Sequence, residues 1–339
     1  MKRAALMCLL AAGCATVPAG APSGSIVIFV TTDGLRPQEV FGGAEKALMP
    51  KDAALALEFW RETPEERRAA LMPFFWGTIA KEGAVWRARL TNGKKFSYPG
   101  YHELLAGFAD PRIDSNAKRP NPNVTVLEWL NRRPGFEGRV AAFGTWDVLP
   151  YILNRRRSGL HIVAADEPIP GELTERERTI NDLRRDTACP WDGNPLDGFT
   201  HHSALEHLKR HRPRILYILY GETDEWAHEG NYKQYLRAAK RVDRFVKQLW
   251  EAARDRYERV SIVFTTDHGR GSGKQWTDHN ADVAGAEDMW MAAIGAGVAP
   301  RGERPEQVTQ SQAAATVAKL AGEDYPAAVP AAAPPLPLD

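Results

Sequence analysis

The sequence is poor in cysteine, in excess charge of either sign and in long apolar runs, and each shortage narrows what the chain does. Three cysteines occur in 339 residues. Cys8 and Cys14 fall in the first turns of the chain, so Cys189 stands alone in the remainder and no internal disulfide can form there. Its Ala-Cys-Pro-Trp setting offers no neighbouring base, and it reads as structural. Lys and Arg number 44 against 43 Asp and Glu, a net charge of +1. That balance provides no electrostatic footprint for nucleic acid or for an anionic membrane surface. The leading apolar stretch, Ala4 to Ala12, is too short to span a bilayer.

What is present begins with processing. Lys2 and Arg3 precede the apolar stretch, which runs into Leu10-Ala-Ala-Gly-Cys14. This has the form of a bacterial lipoprotein box with Cys14 as the lipidated residue, although Ala11 stands where Leu is commoner. An ordinary secretory signal cut nearby is the alternative, and both readings export the chain to the periplasm or outer membrane. Residues 1–13 are thus read as a signal peptide and 14–24 as a Pro/Gly/Ser/Ala tether. Residues 25–325 form one large α/β domain, and 326–339 an Ala/Pro-rich tail with too little to bury to stay ordered. Within the domain, about 147–200 is irregular and charged and is read as a peripheral insertion or lid, with a helix over Glu172–Arg185.

The motifs cluster at the ends of buried strands. Val260-Ser-Ile-Val-Phe is an apolar run of the kind used in parallel sheets, and it breaks into Thr-Thr-Asp267-His268-Gly. Ile26-Val-Ile-Phe-Val ends similarly in Thr-Thr-Asp33-Gly. Open α/β sheets bind ligands at the carboxyl ends of their strands, so the two carboxylates converge on one site. A third buried strand, Arg214 to Tyr220, leads to Asp224 and His228, four apart and therefore on one face of a helical turn. His279 follows in Trp276-Thr-Asp-His. Six candidates of mixed carboxylate and imidazole type suit two divalent ions, zinc first and manganese second. Ser97 precedes Pro99-Gly100 and a helix expected over Tyr101–Ala106, where helix-terminal N–H groups favour an anion; turn formation is the competing role. Further expected elements are one helix from Pro64 to about Lys81, a helix Tyr232–Ala253 and a last strand Met289–Ile294.

These marks together resemble the alkaline phosphatase superfamily, most closely its nucleotide pyrophosphatase/phosphodiesterase branch: Asp33-Gly-Leu-Arg, Ser97-Tyr-Pro-Gly-Tyr-His, Asp224-x-x-x-His228, Asp267-His-Gly and His279. The resemblance implies an alkaline-phosphatase-like α/β fold, a mostly parallel central sheet with helices on both faces. It implies one metal held by Asp224, His228 and His279, and another by Asp33, Asp267, His268 and the nucleophile Ser97. The reaction implied is displacement of an alcohol from a small-molecule phosphate ester through a covalent phospho-serine, followed by water. Asn116 resembles the asparagine that contacts a phosphate oxygen in the diesterases. Ser in place of the diesterases' usual Thr keeps a phosphomonoesterase open. A sulfatase or phosphonate hydrolase shares the scaffold, but Tyr101 replaces the arginine of the sulfatase motif. A catalytically silent metal-binding lipoprotein is the non-enzyme alternative. Diesters are the expected substrates, with Tyr98, Tyr101 and Trp146 as apolar walls. Arg36, Lys94, Lys95, Arg112 and Arg270 are the cations available to grip a monoester dianion instead.

Overall fold

Strand β1, Ser25–Thr32, explains the architecture: seven of its eight residues are buried, so both of its faces are covered. Ile26, Ile28 and Val30 pack into one core and Val27 and Phe29 into the other. A strand buried on both faces reads as a continuous apolar run because alternation has no solvent side to follow. The same division holds for Ile215–Tyr220, where Leu216, Ile218 and Tyr220 face one core and Ile215, Tyr217 and Leu219 the other.

The computed structural model describes residues 24–49 and 51–339. The signal peptide and nearly all of the tether, Cys14 included, lie outside the described residues. The strands are β1, β2 (Gly83–Arg89), β3 (Val140–Gly144), β4 (His161–Ala164), β5 (Ile215–Tyr220), β6 (Arg259–Thr265), β7 (Asp288–Gly295) and β8 (Gly302–Thr309). They form one sheet in the order β4-β3-β5-β1-β6-β7-β2-β8. All neighbours pair in parallel except β7, which runs antiparallel to both β6 and β2. The chain is therefore the expected mixed α/β fold with a mostly parallel sheet and helices on both faces. On one face lies the helix Tyr232–Arg254, which buries Leu236, Val242, Val246 and Leu249. The other face carries helices Ser97–Ala106 and Gln312–Leu320. Among the described residues no helix is long and apolar enough to cross a membrane.

Several expectations are corrected. The helix from Pro64 starts at a full Thr63–Glu66 capping box but ends at Leu71. Pro73 disfavours helical geometry at Met72, which turns to φ −127°, ψ 71°. The chain restarts as a π-helical turn, Phe75–Ile79, then Ala80–Glu82. Asp243 on the long helix accepts the N–H groups of Phe74 and Phe75 at 2.9 and 2.8 Å and so anchors the restart. Met289–Ile294 is not the last strand, because β8 follows it on the sheet edge. Its Gly-Glu-Arg-Pro-Glu-Gln sequence is largely solvent-facing and carries no apolar alternation to announce it.

The carboxyl-terminal tail is packed rather than disordered. Leu336 and Leu338 are buried, Thr316 Oγ1 accepts from the Leu336 N–H, and Ala299 N–H donates to the Leu338 carbonyl. Two leucines and satisfied backbone groups are enough here because prolines leave little chain entropy to lose. Segment 147–200 contributes β4, the outermost strand beside β3, and the helix Glu175–Asp186. Its far end docks on the next functional helix, with Trp191 against Trp226 and Asn194 bonded to Glu225.

Candidate active site

The carboxyl ends of β5, β1 and β6 lie side by side, and each is followed by an acidic residue that turns into the same space. Gly34 has φ +60°, and a Cβ there would lie 2.6 Å from Asp224 Oδ1 and 2.9 Å from Arg270 Nε. Only glycine lets the chain turn with Asp224 and Arg270 this close. The Gly34 N–H then donates to Asp267 Oδ1 at 3.0 Å, linking the two strand ends.

Ser97, expected at or just ahead of a helix N-terminus, is the first residue of the ten-residue helix Ser97–Ala106, which starts before the expected Tyr101. A Cβ on Gly100 would lie 2.4 Å from the Asp267 carbonyl oxygen, so glycine allows this helix to abut the end of β6. Ser97 Oγ thereby sits 3.4 Å from His268 Nε2. The Tyr98 N–H donates to Asn116 Oδ1 at 2.9 Å, so Asn116 is tethered at the helix start with an exposed side chain whose amide N–H groups remain to donate.

Asp33 Oδ1 and Asp267 Oδ2 approach His268 Nε2 at 3.2 and 3.5 Å, and Asp224 Oδ1 at 3.7 Å. His279 Nε2 lies 3.7 Å from Asp224 Oδ1, its ring stacked 3.8 Å from that of His268. His228 Nε2 is 3.0 Å from both Asp224 Oδ2 and His279 Nε2 at the exposed rim. Two overlapping groups are thus within ligating reach of one atom, Asp33/Asp267/His268 and Asp224/His268/His279. The sequence-derived division assigns His268 to the first group alone; its Nε2 borders both.

Electrostatics indicate what is to be bound. Burial, then Asp224, pushes the Asp33 carboxyl well above the usual range, and burial, then Asp33, does the same to Asp267. Burial also opposes ionisation of Asp224, but Arg270 and His228 beside it hold that carboxyl well below the usual range. Burial and His268 push His279 down to about 2. Asp33 Oδ1 and Asp267 Oδ2 are buried with no hydrogen-bond donor among the described residues. Two orphaned carboxylate oxygens beside imidazole nitrogens suit a divalent cation, which would neutralise them. The imidazoles are set up for it: His268 donates Nδ1–H to the Gly269 carbonyl at 2.9 Å and His279 to the Lys95 carbonyl at 3.1 Å. Each Nε2 lone pair is left for the cluster.

Two residues named from the sequence have other roles than those expected. Tyr101 is not a substrate wall; it is fully buried and donates to Asp33 Oδ2 at 2.9 Å. Arg270, also fully buried, clamps Asp224 and the Thr277 carbonyl. Its place one residue after Asp-His-Gly was the available signal. Tyr98 is interior too, its hydroxyl bonded to the Arg119 carbonyl at 2.6 Å, whereas Trp146 is partly open. Of the other cations, Arg36 is bound to Glu39 and Glu45, Lys95 to Glu287 and Arg112 to Asp110. Lys94 has no ion-pair partner among the described residues.

Comparison with known proteins bears on the family and the fold. The profile of the type I phosphodiesterase / nucleotide pyrophosphatase family matches residues 27–331. A GPI ethanolamine phosphate transferase 1 from Aspergillus oryzae is 26% identical over 91% of this chain, which spans 30% of that protein's length. Among solved structures, a mutant of the alkaline phosphatase PafA superposes with a TM-score of 0.62 at 10% identity, covering 93% of this chain and 99% of that one. The lipoteichoic acid synthase LtaP from Listeria monocytogenes gives 0.57 at 12% identity, over 91% and 74% of the two chains. At such identities these structures share the fold.

Proposed function

Because the chain belongs to the type I phosphodiesterase / nucleotide pyrophosphatase family, we propose that it is an exported, two-metal phosphodiesterase acting through a covalent phospho-Ser97. The observation that carries this is Ser97 Oγ at a helix N-terminus, 3.4 Å from His268 Nε2 at the edge of the buried carboxylate–imidazole cluster. Asp33, Asp267, His268 and Ser97 would hold one ion and Asp224, His228 and His279 the other. Zinc or manganese ions held there would supply neutralisation of charge on the phosphoryl oxygens.

The chain's own residues set the rest. Ser97 Oγ attacks phosphorus, the bond from phosphorus to the leaving alcohol breaks, and that alcohol departs with a proton. Water then attacks the phospho-Ser97, restoring the hydroxyl and releasing the phosphate product. An acceptor alcohol in place of water at the second step would make the enzyme a transferase, the activity in the name of the Aspergillus relative. Asn116 donates its amide N–H to a non-bridging oxygen, and Trp146 flanks the second ester group. Diesters are favoured because Arg36, Lys95, Arg112 and Arg270 are all committed to protein acceptors, leaving few cations for a dianion. Lys94 is the residue that would favour the phosphomonoesterase alternative.

The test compares kcat/KM for bis-p-nitrophenyl phosphate, p-nitrophenyl phosphate and p-nitrophenyl sulfate at fixed metal and pH. A diester advantage is expected, lost by several orders of magnitude in Ser97→Ala. A monoester advantage of about tenfold, or ~1.4 kcal/mol in the barrier, reverses the assignment to phosphatase. Export through Cys14 is read separately: Cys14→Ala should move the protein from the membrane to the soluble fraction.

A further inference from the structure

A second pocket, about 730 Å³, opens on the same edge of the sheet as the metal-ligand cluster but over the ends of β2 and β7. Two strand spacings separate β6 from β2, which places this pocket about 10 Å along the edge from the β6 end. Its wall is continuous with the active-site loops: Arg36, next to the lining residue Pro37, donates to the Gly271 carbonyl at 3.0 Å, and lining residues Gln38 and Ser272 meet at 3.4 Å.

The charge of this pocket is one-sided. Lys46, Arg67 and Arg87 line it, and none has a carboxylate partner among the described residues. Its two acids pair with cations from outside the pocket, Glu45 with Arg36 at 3.0 Å, which also holds Glu39, and Asp288 with Arg89 at 3.3 Å, which also holds Glu287. The cations are held in place by other means. Arg67 donates to the carbonyls of Gly42, Arg61 and Glu62 and lies 4.7 Å from the Trp60 ring centroid. Lys46 lies 5.1 Å from the same ring, and Arg87 is 4.1 Å from that of Phe41. Gly43, at φ +71°, brings the loop against Arg67, where a Cβ would lie 2.3 Å from the backbone carbon. Three positioned cations with no carboxylate paired to them in a concave site can receive an anion, and guanidinium forks favour phosphate oxygens.

We propose that this pocket binds a phosphate-bearing group. The group is either a distal phosphate of the substrate or a separate phosphate ligand; the chemistry of recognition is the same.

Calorimetric titration of inorganic phosphate into the metal-loaded, full-length Ser97→Ala protein tests it without turnover. A saturable phosphate site should be weakened at least tenfold in Lys46→Glu/Arg87→Glu and be unchanged in Arg254→Glu, a surface cation at the far end of the helix Tyr232–Arg254. Both substituted side chains are exposed, and circular dichroism verifies that the fold is kept. Loss of one phosphate site in the double variant supports the proposal whether or not the catalytic centre also takes phosphate, which separates it from the assignment of Ser97. Absence of saturable binding, or binding indifferent to the double substitution, overturns it. The source is read from kinetics: a free ligand changes kcat for a simple chromogenic diester on adding phosphate. A distal substrate phosphate instead lowers KM only for esters carrying a second phosphate, and the double variant abolishes that gain.

Discussion

The hydroxyl of Tyr101 holds one oxygen of Asp33 and thereby decides which oxygen faces the cluster. Oδ2 is engaged, so Oδ1, the orphaned atom, is the one left for a cation. Tyr101→Phe removes that restraint at nearly constant volume. Zinc affinity should fall about ten- to a hundredfold, the usual effect of losing a supporting bond to a metal ligand, while the fold is retained. Equilibrium dialysis measures this, and unchanged affinity would show that Asp33 is oriented without Tyr101. At this scale the sequence was informative wherever a polar residue ended an apolar strand, which is how Asp33, Asp267 and His268 stood out. Asp224, His228 and His279 were reached by helical spacing and family pattern. Tyr101 and Arg270 were named with other roles, as a wall and a dianion cation, because an aromatic and an arginine carry no spacing rule and what they hold depends on which groups come near them in space.

Asp243 joins two elements, since it sits on the helix Tyr232–Arg254 and accepts the amides that begin the π-helical turn. Burial pushes its carboxyl up to about 7 against those amides, from an ordinary value of 3.8. Between these two values the folded chain keeps a proton that the unfolded chain has released, so stability falls as pH rises from about 4 to about 7. Asp243→Asn, which retains one acceptor and cannot ionise, should flatten the dependence of Tm on pH across that window. An identical slope in the variant would mean that other groups set it. Elements with strong local signals were legible, as with the Thr63 capping box and the buried β1, β5 and β6. Those decided by tertiary company were not. Strand β8 is polar and pairs only because β2 offers an edge, and the tail is ordered by the grooves that receive Leu336 and Leu338.

For the whole molecule, the metal binding proposed for the three acids buried together would make folding and ion binding one equilibrium. Chelation should lower Tm as well as abolish hydrolysis, and zinc should restore both, because an ion bound only by the folded state stabilises it in proportion to the logarithm of its concentration over Kd. Differential scanning calorimetry with and without chelator reads this, and an unchanged Tm would argue that the cluster holds no ion. The parallel sheet and its two faces were legible because doubly buried strands are continuously apolar; the single reversed strand β7 was not, since a strand's composition does not record its direction. The position of β1 has a further consequence for synthesis. It pairs on one side with β5, nearly 190 residues later, and on the other with β6, more than 230 residues later. A ribosome-bound chain that has made β1 therefore has no neighbour to pair it with until about two-thirds of the 339 residues have been made, and it gains its second neighbour only at almost four-fifths. The same delay keeps Asp33 and Asp267 apart, so a growing chain holds no complete carboxylate–imidazole cluster, and on the proposed function competence for hydrolysis arrives in one late step.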